Sequence, residues 1–189
     1  MLEIVNLFTT PVFVQDYNFD LKLIEKECIS RSKKDIGVYK SNEGGWQSNP
    51  IITNDGFFSN LISSVEASAS EFANRLRINT NLKVKAFWIN INKFKDYNTC
   101  HIHPNCILSG VYYIKAPKNS GVIEFKNPYS FGIQNNWNNK ITSFNSFNST
   151  VMQMNPFENR VLMFPSWVEH RVLPNLSNEK RISISFNLS

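Results

Sequence analysis

At Asn79 the apolar pattern changes period, and that change constrains the fold more than any other feature of the chain. Before it, Leu21, Ile24, Cys28 and Ile29 recur at helical spacing behind Asp20, a suitable N-cap. Lys33 and Lys34 follow where cations complement a helix C-terminus. A second helix is predicted from about Ser59 to Arg77, with Leu61, Val65, Phe72 and Leu76 on one face and Ala69 small enough to admit a sheet. After Asn79 the period is two. Val84 to Asn92, Ile107 to Lys115, Val122 to Phe125, Val151 to Met154, Arg160 to Phe164 and Arg181 to Leu188 read as strands. Pro117, Pro128, Pro156, Pro165 and Pro174 mark the joints between them. Helices followed by many short strands predict a mainly β fold with N-terminal helices: a β-sandwich or jelly roll with the helices packed on one side.

The 189 residues suffice for one domain, with a helical buttress at about 20–77 and a jelly-roll core at about 84–188. Ile4 to Val14 reads as a short strand broken by Pro11, and Gly44 to Pro50 as a loop. Residues 127–150 are polar, Asn-rich and weakly periodic, which predicts a flexible loop over one mouth of the barrel. No apolar run approaches the roughly 20 residues of a membrane span. Met1-Leu2-Glu3-Ile4 lacks the basic start of a signal peptide, and Cys28, Cys100 and Cys106 form no paired framework. A reducing cytoplasm is the expected setting. The net charge of +5 is scattered; its densest group, Arg31, Lys33 and Lys34, reads as a solvated face, which argues against a nucleic-acid partner.

The chain has three histidines, and their placement points to a metal. His101-Ile102-His103 puts two imidazoles on one face of an extended segment. His170 stands at the start of a later strand, within Phe164-Pro165-Ser166-Trp167-Val168-Glu169-His170-Arg171-Val172. Two near ligands and one distant one is the layout of a facial metal site inside a jelly roll. Arg181 follows at the head of the last strand. It shares a face with Ser183 and Ser185, opposite Ile182, Ile184 and Phe186. A guanidinium on such a face suits a carboxylate partner, the alternative being a surface salt bridge. Asn90 and Asn92 share a face and are expected to line the same cavity, and Trp167 is expected to pack near His170. Cys100 and Cys106 have the opposite strand parity to the histidines and are not counted as ligands.

These segments, with Trp88-Ile89-Asn90-Ile91-Asn92, Asp96-Tyr97-Asn98, His103-Pro104-Asn105, Ser109-Gly110-Val111-Tyr112-Tyr113-Ile114 and Arg181-Ile182-Ser183-Ile184-Ser185-Phe186-Asn187, resemble the Fe(II)- and 2-oxoglutarate-dependent dioxygenases, in particular a small bacterial and phage group. The likeness is strongest from 84 to 187. It implies a double-stranded β-helix (a cupin-like jelly roll) with the two N-terminal helices against its larger sheet, and a hydroxylase using Fe(II), 2-oxoglutarate and O2 on a small molecule or a protein side chain. His101 matches the family's first histidine, His170 the distal one, and Arg181 the residue that grips the far carboxylate of 2-oxoglutarate. Tyr113 matches a tyrosine that donates beside that arginine in related enzymes, with a packed aromatic as the alternative, and Ser183 offers a second hydroxyl. The departure is at His103, where the family's His-x-Asp pattern has a carboxylate. A second register would start at His103 and place Asn105 in that slot; three imidazoles make the better donor set. A three-His enzyme without 2-oxoglutarate, of thiol-dioxygenase or zinc type, and a cupin-like binding protein with a vestigial site are the alternatives.

Overall fold

The structure, a computed structural model, describes residues 1–51 and 55–189. Two helices come first: α1 (Leu21–Ser32) and α2 (Ser59–Arg75). Asp20 caps α1 as expected, its carboxylate accepting from the Leu23 amide at 3.1 Å. The strands form two antiparallel sheets. The larger runs β1 (Phe13–Asp16), β9 (Arg160–Pro165), β6 (Leu108–Lys115), β11 (Arg181–Leu188), β4 (Val84–Asn92) and β3 (Trp46–Gln47). The smaller runs β2 (Asn42–Glu43), β5 (Tyr97–His101), β10 (His170–Val172), β7 (Ile123–Lys126) and β8 (Val151–Met154). This is the predicted jelly roll.

Strand alternation divides the residues of the larger sheet between two surroundings. Phe87, Ile89, Ile91, Tyr112, Ile114, Ile182, Ile184 and Phe186 face the helices and pack with Ile24, Cys28, Leu61, Val65, Ala69 and Phe72. Gly110 lies on this face because the Phe186 ring passes over it; a Cβ there would stand 2.5 Å from that ring. The intervening residues face the smaller sheet. At one end Val111, Tyr113, Leu162 and Phe164 meet Ile123 and Phe125 in a second apolar cluster. At the other end Asn90, Asn92, Arg181 and Ser183 are buried without an apolar layer to cover them.

Four expectations differ from the structure. Of the expected Ile4–Val14 strand only Phe13 and Val14 are paired, in a strand that starts after Pro11, which has no amide to donate, and runs on to Asp16. The expected loop at Gly44 to Pro50 contains β3. Gly44 and Gly45, both at φ +66°, swing the chain there from β2 in one sheet to β3 in the other. Trp167 does not pack near His170; its side chain is exposed. Residues 127–150 are not a plain loop. Their ends are tied by the Asn127 amide to the Thr150 carbonyl at 2.8 Å, extending the β7–β8 ladder. Between them α3 (Ser130–Asn136) rests on the outer face of the smaller sheet, where Ser130 and Gln134 share a hollow with Glu124, Lys126, Glu169 and Arg171.

Candidate metal centre

The three histidines meet because antiparallel pairing puts His170 of β10 directly opposite His101 at the end of β5. His103 lies two residues beyond the end of that strand, in the segment that turns through Pro104 and Asn105. Its amide donates to the Ser166 carbonyl at 3.0 Å, which anchors it beside the pair. Ring centroids are 4.5 Å apart for His101–His170, 4.9 Å for His101–His103 and 5.2 Å for His103–His170. One nitrogen of each ring lies within 4.8 Å of the others. Asn105 is exposed on its turn at φ +63° and is not among the residues that line the cavity with the three rings.

The rings are prepared to act as ligands. Burial lowers the pKa of all three: that of His103 falls to about 4 and that of His170 to about 3, with further lowering from the neighbouring rings. They are neutral at physiological pH. His101 Nδ1 lies 2.7 Å from the Thr99 carbonyl and His170 Nδ1 2.8 Å from the Val168 carbonyl. A carbonyl only accepts, so each Nδ1 carries the proton and each Nε2 keeps its lone pair. Phe164, at 4.7 Å edge-on, and Phe125, at 6.1 Å, wall His170 with apolar surface. Three neutral imidazoles converging on one point suit a divalent first-row metal.

The same cavity holds an unsatisfied cationic corner. Arg181 is 1% exposed and pairs with no carboxylate among the described residues. Its Nη1 donates to the carbonyls of Ser120 and, at 3.2 Å, Leu173. Its Nη2 is buried with no partner, and so is the hydroxyl of Tyr113. Burial brings the Arg181 pKa down to about 10 and raises that of Tyr113 to about 12, so at neutral pH both remain donors. Orphaned donors of this kind are rare in folded proteins, and a carboxylate would satisfy both. Ser183 and Asn90 line the cavity with them, Asn90 Nδ2 donating to Ser185 Oγ at 3.0 Å.

The structure thus brings His101, His103, His170, Arg181, Tyr113, Ser183 and Asn90 to one cavity. Sequence reasoning missed the cradle of Arg181. The Ser120–Gly121 turn wraps its guanidinium so closely that a Cβ on Gly121 would stand 2.7 Å from Nη1. Asn119 and Gly121, both at positive φ, were the available signal. It also missed Ser41 and Asn98, which line the cavity as a pair joined at 3.2 Å.

Comparison with known proteins accords with this geometry. Residues 86–187, just over half of the chain, match the family model described as "Putative 2OG-Fe(II) oxygenase". Among solved structures, a prolyl-4-hydroxylase from Pseudomonas putida is similar at TM-score 0.67 and 13% identity, over 95% of this chain and 92% of that one. The epimerase SnoN of nogalamycin biosynthesis gives TM-score 0.71 at 10% identity, over 95% and 76%. A viral collagen prolyl hydroxylase from Paramecium Bursaria Chlorella virus-1, solved with 2-oxoglutarate, gives 0.57 at 14%, over 94% of each chain. At these identities the structural likeness is one of fold. Among curated proteins, no sequence matches this chain.

Proposed function

The chain belongs to the 2OG-Fe(II) oxygenase family, and on that premise we propose that His101, His103 and His170 hold Fe(II) while Arg181, Tyr113, Ser183 and Asn90 receive 2-oxoglutarate. Membership makes the chain a Fe(II)- and 2-oxoglutarate-dependent oxygenase, with O2 as the third reactant. When bound, iron with 2-oxoglutarate and O2 supplies an oxidising step that no side chain provides. The protein supplies position. Neutral imidazoles offer lone pairs from one side of the cavity and leave the other side open. Arg181 Nη2 and the Tyr113 hydroxyl offer two convergent donors to a carboxylate, with the Ser183 hydroxyl and Asn90 amide beside them. Phe125 and Phe164 keep water from the histidine side.

The observation that carries this reading is the pair of orphaned donors on Arg181 and Tyr113 in the cavity of the three histidines. A three-His enzyme that dispensed with 2-oxoglutarate would leave both donors buried and unanswered. The reaction assigned is hydroxylation of a C–H bond in a small molecule or a protein side chain. Residues 1–189 work as one domain, with the helices at 20–77 backing the core at 84–188. A cytoplasmic setting fits three unpaired cysteines, and no helix among the described residues is long and apolar enough to cross a membrane. The test is succinate release when the protein is supplied with Fe(II), 2-oxoglutarate and air. Uncoupled turnover without added substrate is expected to be slow but measurable. Absence of both turnover and 2-oxoglutarate binding would return the three-His reading.

A further inference from the structure

His103 differs from the other two histidines in what holds its ring. Where His101 and His170 each present Nδ1 to a backbone carbonyl, the Nδ1 of His103 faces the side-chain amide of Asn187, with Asn187 Nδ2 at 3.5 Å. Asn187 lies on β11, two residues beyond Ser185 on the cavity face, and is paired across the ladder with Ser109 of β6. The Ser109 hydroxyl, on a residue 1% exposed, is 2.8 Å from Asn187 Oδ1. The Trp88 ring flanks His103 at 5.9 Å.

A carbonyl fixes a tautomer; an amide need not. With Nδ2 toward His103, Asn187 donates, so Nδ1 of a neutral His103 must accept and the proton sits on Nε2, the nitrogen a metal requires. With the amide turned over, Oδ1 accepts from His103 Nδ1–H and Nε2 is free. The two ends of a carboxamide have the same shape, and the Ser109 hydroxyl can donate to one or accept from the other. Resting on the ligand set proposed above, we propose that Asn187, seated by Ser109, is the positioning residue that puts the proton on Nδ1 of His103 and so turns a histidine in the place of the family's carboxylate into a ligand through Nε2. It stands behind the metal ligand and touches no reacting atom. It does for His103 what the Thr99 and Val168 carbonyls do for the other two rings.

The experiment compares Asn187→Asp, Asn187→Leu and His103→Ala by two readouts: manganese(II) affinity, and the tautomer of His103 from ring ¹⁵N NMR of the metal-free protein. A carboxylate can only accept, so Asn187→Asp should keep His103 in the Nδ1–H form and bind manganese at least as well as wild type. Leu fills similar space with no acceptor. It should move His103 toward Nε2–H and weaken manganese by about ten- to a hundred-fold, the usual effect of losing a ligand's outer partner. Should Asn187→Leu fail to fold, Ser109→Ala, which frees the amide from its anchor, should shift both readouts in the same direction. Loss of affinity in Asn187→Asp equal to that in Asn187→Leu would mean that Asn187 acts by packing and would overturn the proposal. So would an unchanged His103 tautomer across the series, or manganese binding lost in His103→Ala but untouched in Asn187→Leu. Undiminished binding in His103→Ala would overturn the ligand set itself, and this role with it.

Discussion

Each histidine of the candidate centre is held by its own local contacts, and single substitutions test them one at a time. His170 is buried and directly opposite His101, so His170→Ala and His101→Ala should each abolish manganese binding at micromolar concentration. His103 and Asn105 are the discriminating pair. With Asn105 exposed on its turn and His103 beside the other rings, His103→Ala should lose the metal and Asn105→Ala should keep it. Calorimetric titration of both variants checks this, and loss only in Asn105→Ala would move the register by two residues. Arg181 makes a second comparison. Arg181→Lys keeps the charge but gives up the planar fork, and should weaken 2-oxoglutarate by about 1–3 kcal/mol in the manganese-loaded protein. Arg181→Met should weaken it more and leave manganese affinity nearly unchanged. Equal 2-oxoglutarate affinity in wild type and Arg181→Met would detach the cosubstrate from this corner.

At the scale of elements, the turn between β6 and β7 holds the arginine in place. Gly121 sits at φ +86°, and a Cβ there would stand 2.2 Å from the Leu173 carbonyl as well as 2.7 Å from Arg181 Nη1. Gly121→Ala therefore has to move the turn or the guanidinium, at a cost of about 1–3 kcal/mol for strained backbone. Thermal unfolding should report the cost, and 2-oxoglutarate affinity should fall while manganese affinity holds, since no imidazole touches this turn. An unchanged 2-oxoglutarate affinity would show that the carbonyl cage does not aim Arg181. The turn is poor in periodic signal but carries two left-handed residues, Asn119 and Gly121, and these were its legible trace. The β5 strand was less legible. Tyr-Asn-Thr-Cys-His has no apolar alternation, and an irregular register against β10 brings both Asn98 and His101, three residues apart, to the polar cavity.

For the whole molecule, three neutral imidazoles, His170 buried and His101 and His103 partly so, make the metal-free fold sensitive to acid. Their folded pKa values are depressed, so below about 6.5 the unfolded chain takes up protons that the folded chain refuses. Stability therefore falls as pH drops from about 6.5 toward the folded values of about 4 for His103 and about 3 for His170. Above that window these groups contribute no pH dependence. Depressed carboxyls such as Asp55, held by Arg31, add a loss at lower pH. Chemical denaturation of the metal-free protein between pH 7 and 4 should show the decline, and His170→Ala should flatten its slope. A slope equal to that of wild type would mean that the His170 ring is not kept neutral by the fold.

Local pattern was enough for α1 and α2, for β4, β8 and β11 to the residue, and for the jelly roll, because burying one face of a strand or helix writes a period into the sequence. The same alternation separated Arg181, Ser183 and Ser185 from Ile182, Ile184 and Phe186. It could not say that Arg181 is caged by carbonyls from Ser120 and Leu173, or that Tyr113 keeps its hydroxyl free, since partners brought in from distant strands leave no trace near the residue itself. Nor could it say that α3 stands beside the outer face of the smaller sheet, or that His101 and His170 face each other across a ladder. Those facts belong to strand register between segments tens of residues apart, and register is set by how the whole apolar set packs, not by any one stretch of it.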